Sequence, residues 1–501
     1  MDSPIVSSAE MRAAEEAAFA RGVTAEVLMD AAAAGIARTV SKFFPQPGRC
    51  IVFAGKGNNA GDALAAAALL GELGWRIDLR LTSAGDDCGE LARKKLANLG
   101  PICKDELPFV HETAVPAATI ILDGLLGLGA TPPLRGPIRM ACREINQLRR
   151  TAGAFAFALD LPTGLDADSG ATDEACVAAD FTVTIGFAKR GLLADQALDF
   201  VGRLEVVTLP ELQAGFTKPE AVAATAASLH PLLPRRHFGA YKNEFGRIGV
   251  LAGSKGFAGA ALLCSLGALR AGVGLVELFV PEDIYSLVAG AAHPEVMVKS
   301  VASYENLLEE PIDIWALGPG LGRAHAAEIL RLIETAPEPM VVDADALNIL
   351  SEKMPTLEQC AGPRLLTPHP GEMKRLFPIE ARSRAELTER FCTKYPVTLL
   401  LKGGRTIVGE RGRPHSYNTT GNPGMATGGM GDVLTGVCAA LIAQKLSPYD
   451  AARLGAWVCG RAAEMAIFNR DASEQSLLPS DMAENLGYAF RELQATEVWR
   501  D

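Results

Sequence analysis

Asp432 closes the run Gly428-Gly429-Met430-Gly431, directly before the apolar stretch VLTGVCAALIA. Small residues at a helix start leave backbone N–H groups free to surround an anion, and a carboxylate beside them can take a proton from a hydroxyl facing the phosphate. That is a layout for phosphoryl transfer. Five more strand-end turns accompany it: Gly253-Ser-Lys-Gly-Phe-Ala-Gly259, Gly318-Pro-Gly320-Leu-Gly322, Asp343-Ala-Asp345-Ala-Leu-Asn348, Thr367-Pro-His369-Pro-Gly-Glu372 and Lys402-Gly-Gly-Arg-Thr406. The first half has its own set. Gly55-Lys56-Gly57-Asn58-Asn59-Ala60-Gly61-Asp62 follows CIVFA, Asp123 ends TIILD, and Asp160-Leu-Pro-Thr163-Gly ends AFAFAL. This is neither the dinucleotide GxGxxG nor a P-loop, which needs GK[ST]. Amide, hydroxyl and carboxylate oxygens from Asn59, Asp123 and Thr163 suit an alkali or alkaline-earth cation rather than zinc. The competing reading is that Asp123 and Asp160 only cap the helices that follow.

Positioning these groups requires parallel strands, whose carboxyl ends gather loops into one crevice. The spacing predicts a helical segment over 8–42, capped by Ser8, and strands at 50–55, 76–82, 119–127, 154–164, 181–187 and 203–210. After a stretch at 211–236 without strand pattern, strand and loop alternate again: 313–318, 339–347, 364–372, 397–404 and 406–410, with a long helical tail after GNPGMATGGMGD. Strands alternating with helices predict an α/β protein with mostly parallel sheets covered on both faces. Two domains are expected, at 1–215 and 228–501.

Composition narrows the function. The 501 residues carry 48 Lys and Arg against 59 Asp and Glu, a net charge of −11, which argues against a nucleic-acid binder but not against small anionic ligands. The ten cysteines form no CxxC pair and read as small buried hydrophobes of a reducing compartment. No basic-then-apolar leader is visible and no apolar stretch reaches about 18 residues, so a cytoplasmic protein without a membrane partner is expected.

The motifs AEMRAAEEAAF, GKGNNAGD, DGLLGLG and ALDLPTGLDADSG over 8–209 resemble the YjeF N-terminal family, the NAD(P)H-hydrate epimerases. LAGSKGFAGAALL, LGPGLG, TPHPGE, LLKGG and GGMGDVLTG over 230–497 resemble the YjeF C-terminal family, the ADP- or ATP-dependent NAD(P)H-hydrate dehydratases. The resemblance implies a Rossmann-like three-layer sandwich followed by a ribokinase-like α/β domain. It implies a bifunctional repair enzyme that interconverts the R and S forms of hydrated NADH and NADPH and dehydrates the S form at the expense of ADP or ATP. In the epimerase half it implies substrate contacts at Asn58, Asn59, Ala60, Gly61, Asp62, Gly127, Leu128, Gly129, Ala130, Thr131, Pro132, Pro133 and Asp160. There, Asn59, Asp123 and Thr163 would hold K+, and Asp160 would be the acid/base. In the dehydratase half it implies hydrate contacts at Gly259, Gly322, His369 and Asp432, and nucleotide contacts at Lys402, Gly403, Gly404, Arg405, Thr406 and Gly431. Mg2+ would accompany the nucleotide, Asp432 would be the base, and a homo-oligomer is expected. Three residues depart from the family pattern: Ala60 and Ala63 replace glycines, and Met430 stands in what is usually AGTGD. The main rival is a ribokinase-like vitamin or sugar kinase, whose product would be a stable phosphate ester. A rival of another class is a ligand sensor without catalysis.

Overall fold

The computed structural model describes residues 3–99, 118–129, 133–212, 218–233, 235–469 and 472–495. The chain divides into two compact units, Ser3–Pro219 and 220–501. Its strands run in chain order as β1 (Ser3–Val6), β2 (Arg49–Ala54), β3 (Arg76–Leu81), β4 (Thr119–Gly124), β5 (Phe155–Leu159), β6 (Phe181–Ile185), β7 (Ala188–Lys189) and β8 (Arg203–Val207) in the first unit. The second unit holds β9 (Ala221–Ala224), β10 (Arg247–Leu251), β11 (Leu275–Pro281), β12 (Val296–Val301), β13 (Ile314–Leu317), β14 (Met340–Val342), β15 (Arg364–Leu366), β16 (Thr398–Leu401), β17 (Ile407–Gly409) and β18 (His415–Asn418).

In the first unit the main sheet is parallel, in the order β3-β2-β4-β5-β6-β8. Strands β2 and β4 are apolar and buried on both faces, as a sheet covered by helices demands. Beside this sheet β1 pairs with β7, bringing Val6 opposite Lys189. The chain passes from β2 outward to β3 and then returns to β4 on the other side. The carboxyl ends of β2 and β4 therefore flank a topological switch point, where such sheets bind ligands.

The second unit repeats the principle. Its sheet runs β12-β11-β10-β13-β14-β15-β16-β17-β18-β9, parallel except where β17 pairs antiparallel with β16 and β18. The switch lies between β10 and β13. The loops after them are tied by Gly253 N–H donating to Pro319 O at 2.8 Å and Ser254 Oγ to Gly320 O at 2.8 Å. The alanine-rich helix Met430–Ala443 packs on this sheet with most of its length buried. The fold is α/β in both units, as the alternation predicts.

Four readings need correction. The helical segment over 8–42 is two helices, Ser8–Ala20 and Ala25–Phe43, broken at Arg21-Gly22, where Gly22 has φ +91°. The cap is Ser7 rather than Ser8, its Oγ accepting from Glu10 N at 3.3 Å. Strands expected over 154–164, 339–347 and 364–372 are shorter because the chain turns at the site: β5 stops at Leu159, β14 at Val342 and β15 at Leu366. The stretch read as strandless contains β9, which pairs with β18 from His415–Ala221 to Asn418–Ala224, so the boundary between units falls at 219/220. Its alanines carry no period-two alternation, because β9 is buried along nearly its whole length.

Two carboxylate sites at strand ends

In the first unit the helix Asn58–Glu72 begins at Asn58, so the Asn-Asn-Ala-Gly-Asp run forms its first turns rather than a loop. Ala60 and Ala63 lie within this helix and are fully buried, and neither has positive φ, so alanine replaces glycine there without backbone strain. Gly124 is required instead: a Cβ on it would sit 2.3 Å from that of Ala63.

The buried Asn59 donates from Nδ2 to Leu126 O at 3.0 Å, and its Oδ1 is buried with no hydrogen-bond partner. Asp123, wholly buried, accepts from Thr163 Oγ1 at 2.7 Å, from Thr163 N at 2.9 Å and from Leu125 N at 3.3 Å. Burial pushes Asp123 up to about 6 against these three bonds, which pull it down. The structure thus brings Asn59, Asp123 and Thr163 together around the Leu126 carbonyl. An orphaned amide oxygen among a carboxylate, a hydroxyl and a carbonyl is donor chemistry that fits a hard cation. Among the described residues no group of three His, Cys, Asp or Glu could hold a metal ion.

Asp160 ends β5 with φ +63°, a left-handed conformation uncommon outside glycine. Its Oδ1 accepts from Lys189 Nζ, from Ile185 N at 3.2 Å and from Thr184 Oγ1 at 3.3 Å. Two more carboxyls sense this centre. Burial, followed by the charges of Asp160 and Glu15, pushes Asp62 well above the ordinary carboxylate value. Burial and Asp160 likewise raise Glu15. Gly127, Leu128 and Gly129 follow β4, and Pro133 is exposed. Ala130, Thr131 and Pro132 lie outside the described residues.

In the second unit Gly429 enters the helix Met430–Ala443 at φ +96°, and Gly431 and Asp432 form its first turn. Burial first, then the negative charge of Asp343, pushes Asp432 up to about 7; Lys402 opposes, while Asp345 and Glu372 add to the rise. Asp343 is almost wholly buried and accepts from Lys402 Nζ at 2.8 Å and Thr435 Oγ1 at 2.9 Å. A Cβ on Gly318, which has φ +124°, would lie 1.9 Å from Asp343 O, so that turn admits only glycine. Gly322 N donates to Asp345 Oδ2 at 2.9 Å. His369 caps the helix Pro370–Leu376, its Nδ1 accepting from Gly371 N at 3.0 Å while its N donates to Glu372 Oε2 at 2.8 Å. Its ring is about half exposed, with Nε2 3.5 Å from Glu372 Oε1. Gly259, in the first turn of the helix Ala258–Arg270, and Gly403 and Gly404, in the turn after β16, are exposed and open to a ligand, whereas Arg405 is buried.

The ammonium of Lys402, expected among the nucleotide contacts of its turn, is bonded to Asp343 in the acidic cluster beside Asp432. The central groups that sequence reasoning passed over are Lys189, Glu15 and Thr435, together with Asp343 and Glu372, noticed in motifs but given no role. Lys189 has no local signal, since AKRG after a strand reads as a solvated turn.

The chain is similar to known proteins over nearly its whole length. Residues 25–191 match the family described as YjeF-related protein N-terminus, and residues 248–486 match that described as NAD(P)H-hydrate dehydratase. A bifunctional NAD(P)H-hydrate repair enzyme of Moorella thermoacetica is 33% identical, with 98% of this chain and 97% of that protein covered. The protein of the same description from Escherichia coli is 35% identical over 91% of this chain and 88% of its own. Among solved structures, the ADP/ATP-dependent NAD(P)H-hydrate dehydratase of Bacillus subtilis, co-crystallised with ATP and Mg2+, aligns with a TM-score of 0.48 at 27% identity, covering 54% of this chain and 97% of that one.

Proposed function

The chain belongs to the family of bifunctional NAD(P)H-hydrate repair enzymes, and we propose a division of labour between its two sites. The enzyme combines epimerase and dehydratase activities. In this reading the first unit interconverts the R and S hydrates and the second restores the S hydrate to NADH or NADPH using ADP or ATP. What carries the reading is that each unit, near the carboxyl ends of its parallel strands, presents a carboxylate in a built polar setting: Asp160 on Lys189, and Asp432 beside Asp343 and Lys402.

Hydroxide is a poor leaving group, so the hydrate hydroxyl is first made into a phosphate ester. Asp432, raised to about 7, takes the hydroxyl proton near neutral pH as the oxygen attacks phosphorus. The N–H groups at Gly429–Gly431 hold the transferring phosphoryl group. Phosphate then departs with the C–O bonding electrons, and loss of a proton restores the ring double bond. Gly259, Gly322 and His369 would contact the hydrate, and Gly403–Thr406 with Gly431 the nucleotide. Mg2+ would be brought in on the nucleotide phosphates, since Asp343, Asp345 and Glu372 form no cluster that could hold it by themselves. Its chemistry would be to neutralise charge on those phosphates.

In the first unit Asn58–Asp62 and Gly127–Pro133 would embrace the hydrated nucleotide. Asn59 Oδ1, Asp123, Thr163 and the Leu126 carbonyl would hold K+, which would fix the two loops against each other. Asp160 gives a proton to the hydrate hydroxyl, which leaves as water with the C–O bonding electrons while the ring nitrogen's lone pair stabilises the cation left behind; Asp160 then takes a proton from the water that adds to either face. The test is to offer an equilibrated mixture of hydrate epimers with ADP, or with ATP, and follow NADH absorbance. Recovery of all the hydrate is expected. Accumulation of a stable phosphate ester without NADH would instead identify a vitamin- or sugar-type kinase.

A further inference from the structure

Among the described residues of the first unit, Lys189 is the one lysine whose side chain is wholly withdrawn from solvent, at 0% exposure. A buried ammonium is costly unless every donor is used. Here Nζ donates to Asp160 Oδ1, to Ile185 O at 2.9 Å and to Thr184 Oγ1 at 3.1 Å, which uses all three protons. A lysine kept only to fill space would be replaced by an apolar residue at lower cost. The pairing of β7 with β1 carries Lys189 inward opposite Val6.

The arrangement is one-sided. All three side-chain bonds of Asp160 fall on Oδ1: Lys189 Nζ, Ile185 N and Thr184 Oγ1. The carboxylate is anchored through one oxygen, at a backbone whose left-handed φ aims the side chain away from the run of β5. We propose that Lys189 is the positioning residue of the epimerase centre, pinning Oδ1 of Asp160 so that Oδ2 alone exchanges protons with the hydrate hydroxyl. This rests on the epimerase reading of the first unit. The remaining titratable groups around the pair are Glu15 and Asp62, with Arg12 near Glu15. Burial and Asp160 raise both carboxyls and Lys189 lowers both, while its carboxylate hydrogen bond goes to Asp160.

The experiment uses the full-length enzyme and measures interconversion of the purified R hydrate. Lys189→Met is expected to lower kcat about 100-fold with KM within threefold, the signature of a misaimed group rather than a lost contact. Lys189→Arg, which keeps a cation at that depth, is expected to recover at least tenfold of this loss. Asp160→Asn should be as slow as Lys189→Met, and the double variant no slower than Asp160→Asn alone, because a positioning residue has nothing left to position. Amide exchange across β5 and β6 checks that the unit is folded; if Lys189→Met unfolds it, the neutral and shorter Lys189→Gln and its double with Asp160→Asn decide by the same criteria. A Lys189→Met enzyme within threefold of wild type, or losses that multiply in the double variant, would overturn the proposal. Wild-type enzyme that does not interconvert the epimers would overturn the epimerase reading itself, which separates the two failures.

Discussion

In the first unit the ammonium of Lys189 bonds the carboxylate assigned to the chemistry, Asp160. In the second the ammonium of Lys402 bonds a neighbour, Asp343, and Asp432 is left to rise to about 7 under burial and like charge. Both units place the pair near the carboxyl ends of parallel strands, and both surround it with further acids. The difference lies in which carboxylate the lysine holds. A lysine on the reacting carboxylate fixes its aim. A lysine on the adjacent one leaves the reacting group free to take up a proton near neutral pH. Burial alone would not distinguish the two, since both settings are poor in water.

The largest effect expected from breaking this contrast is Asp432→Ala. Loss of a general base removes about 10²–10⁴ in rate, so nucleotide-dependent dehydration should collapse while R–S interconversion by the same protein is unchanged. Dehydration within threefold of wild type would remove Asp432 from its role.

The epimerase unit is expected to respond to a cation where the dehydratase unit does not respond through the same residues. Asp123→Ala should slow epimerisation about 100-fold at any K+ concentration, because the loops it fixes lose their register. Replacing K+ by a bulky organic cation should slow the wild type and leave the variant unmoved. Activity restored by zinc and abolished by a chelator would contradict the oxygen-donor site.

A smaller effect concerns the boundary. Strand β9 and its link from Thr419 Oγ1 to Ala224 O at 2.7 Å belong to the second unit. A fragment 220–501 should therefore be more stable than 228–501 by about 2 kcal/mol, from lost ladder bonds and the buried Val222. Urea midpoints of the two fragments measure this. Equal midpoints would make β9 dispensable.

The smallest effect is a shift in pH dependence. In the proposed role Asp432 works ionised, so dehydration is expected to fall as pH drops through about 7. Asp343 raises Asp432 and Lys402 lowers it. Asp343→Asn should move the acid limb of kcat/KM down by about one pH unit, and Lys402→Met should move it up by a similar amount. Shifts of one sign in both variants would show that packing, not charge, sets the limb.

The parts of these sites that lie along the chain were legible before the fold. Asn59, Asp123, Asp160, Thr163 and Asp432 each follow or precede an apolar run, and a strand end announces itself by composition. What was not legible depends on pairing between distant segments. Lys189 is buried because β7 meets β1, across more than 180 residues, and nothing in AKRG signals this. The weight of Asp343 was hidden likewise: in the sequence it opens one strand-end turn among several, and only the fold brings Thr435 and Lys402 onto its two oxygens. β9 was missed because a short buried alanine strand has no alternation to read.

The central claim is that two separate carboxylate sites act in series on one mixture of epimers. Asp160→Asn enzyme given that mixture with ADP or ATP tests it most directly. The account predicts a first phase of NADH recovery at the wild-type rate, ending at the fraction initially present as S hydrate, then a stall over the time in which wild type recovers everything. Complete recovery by Asp160→Asn at the wild-type rate, or no first phase at all, would contradict it.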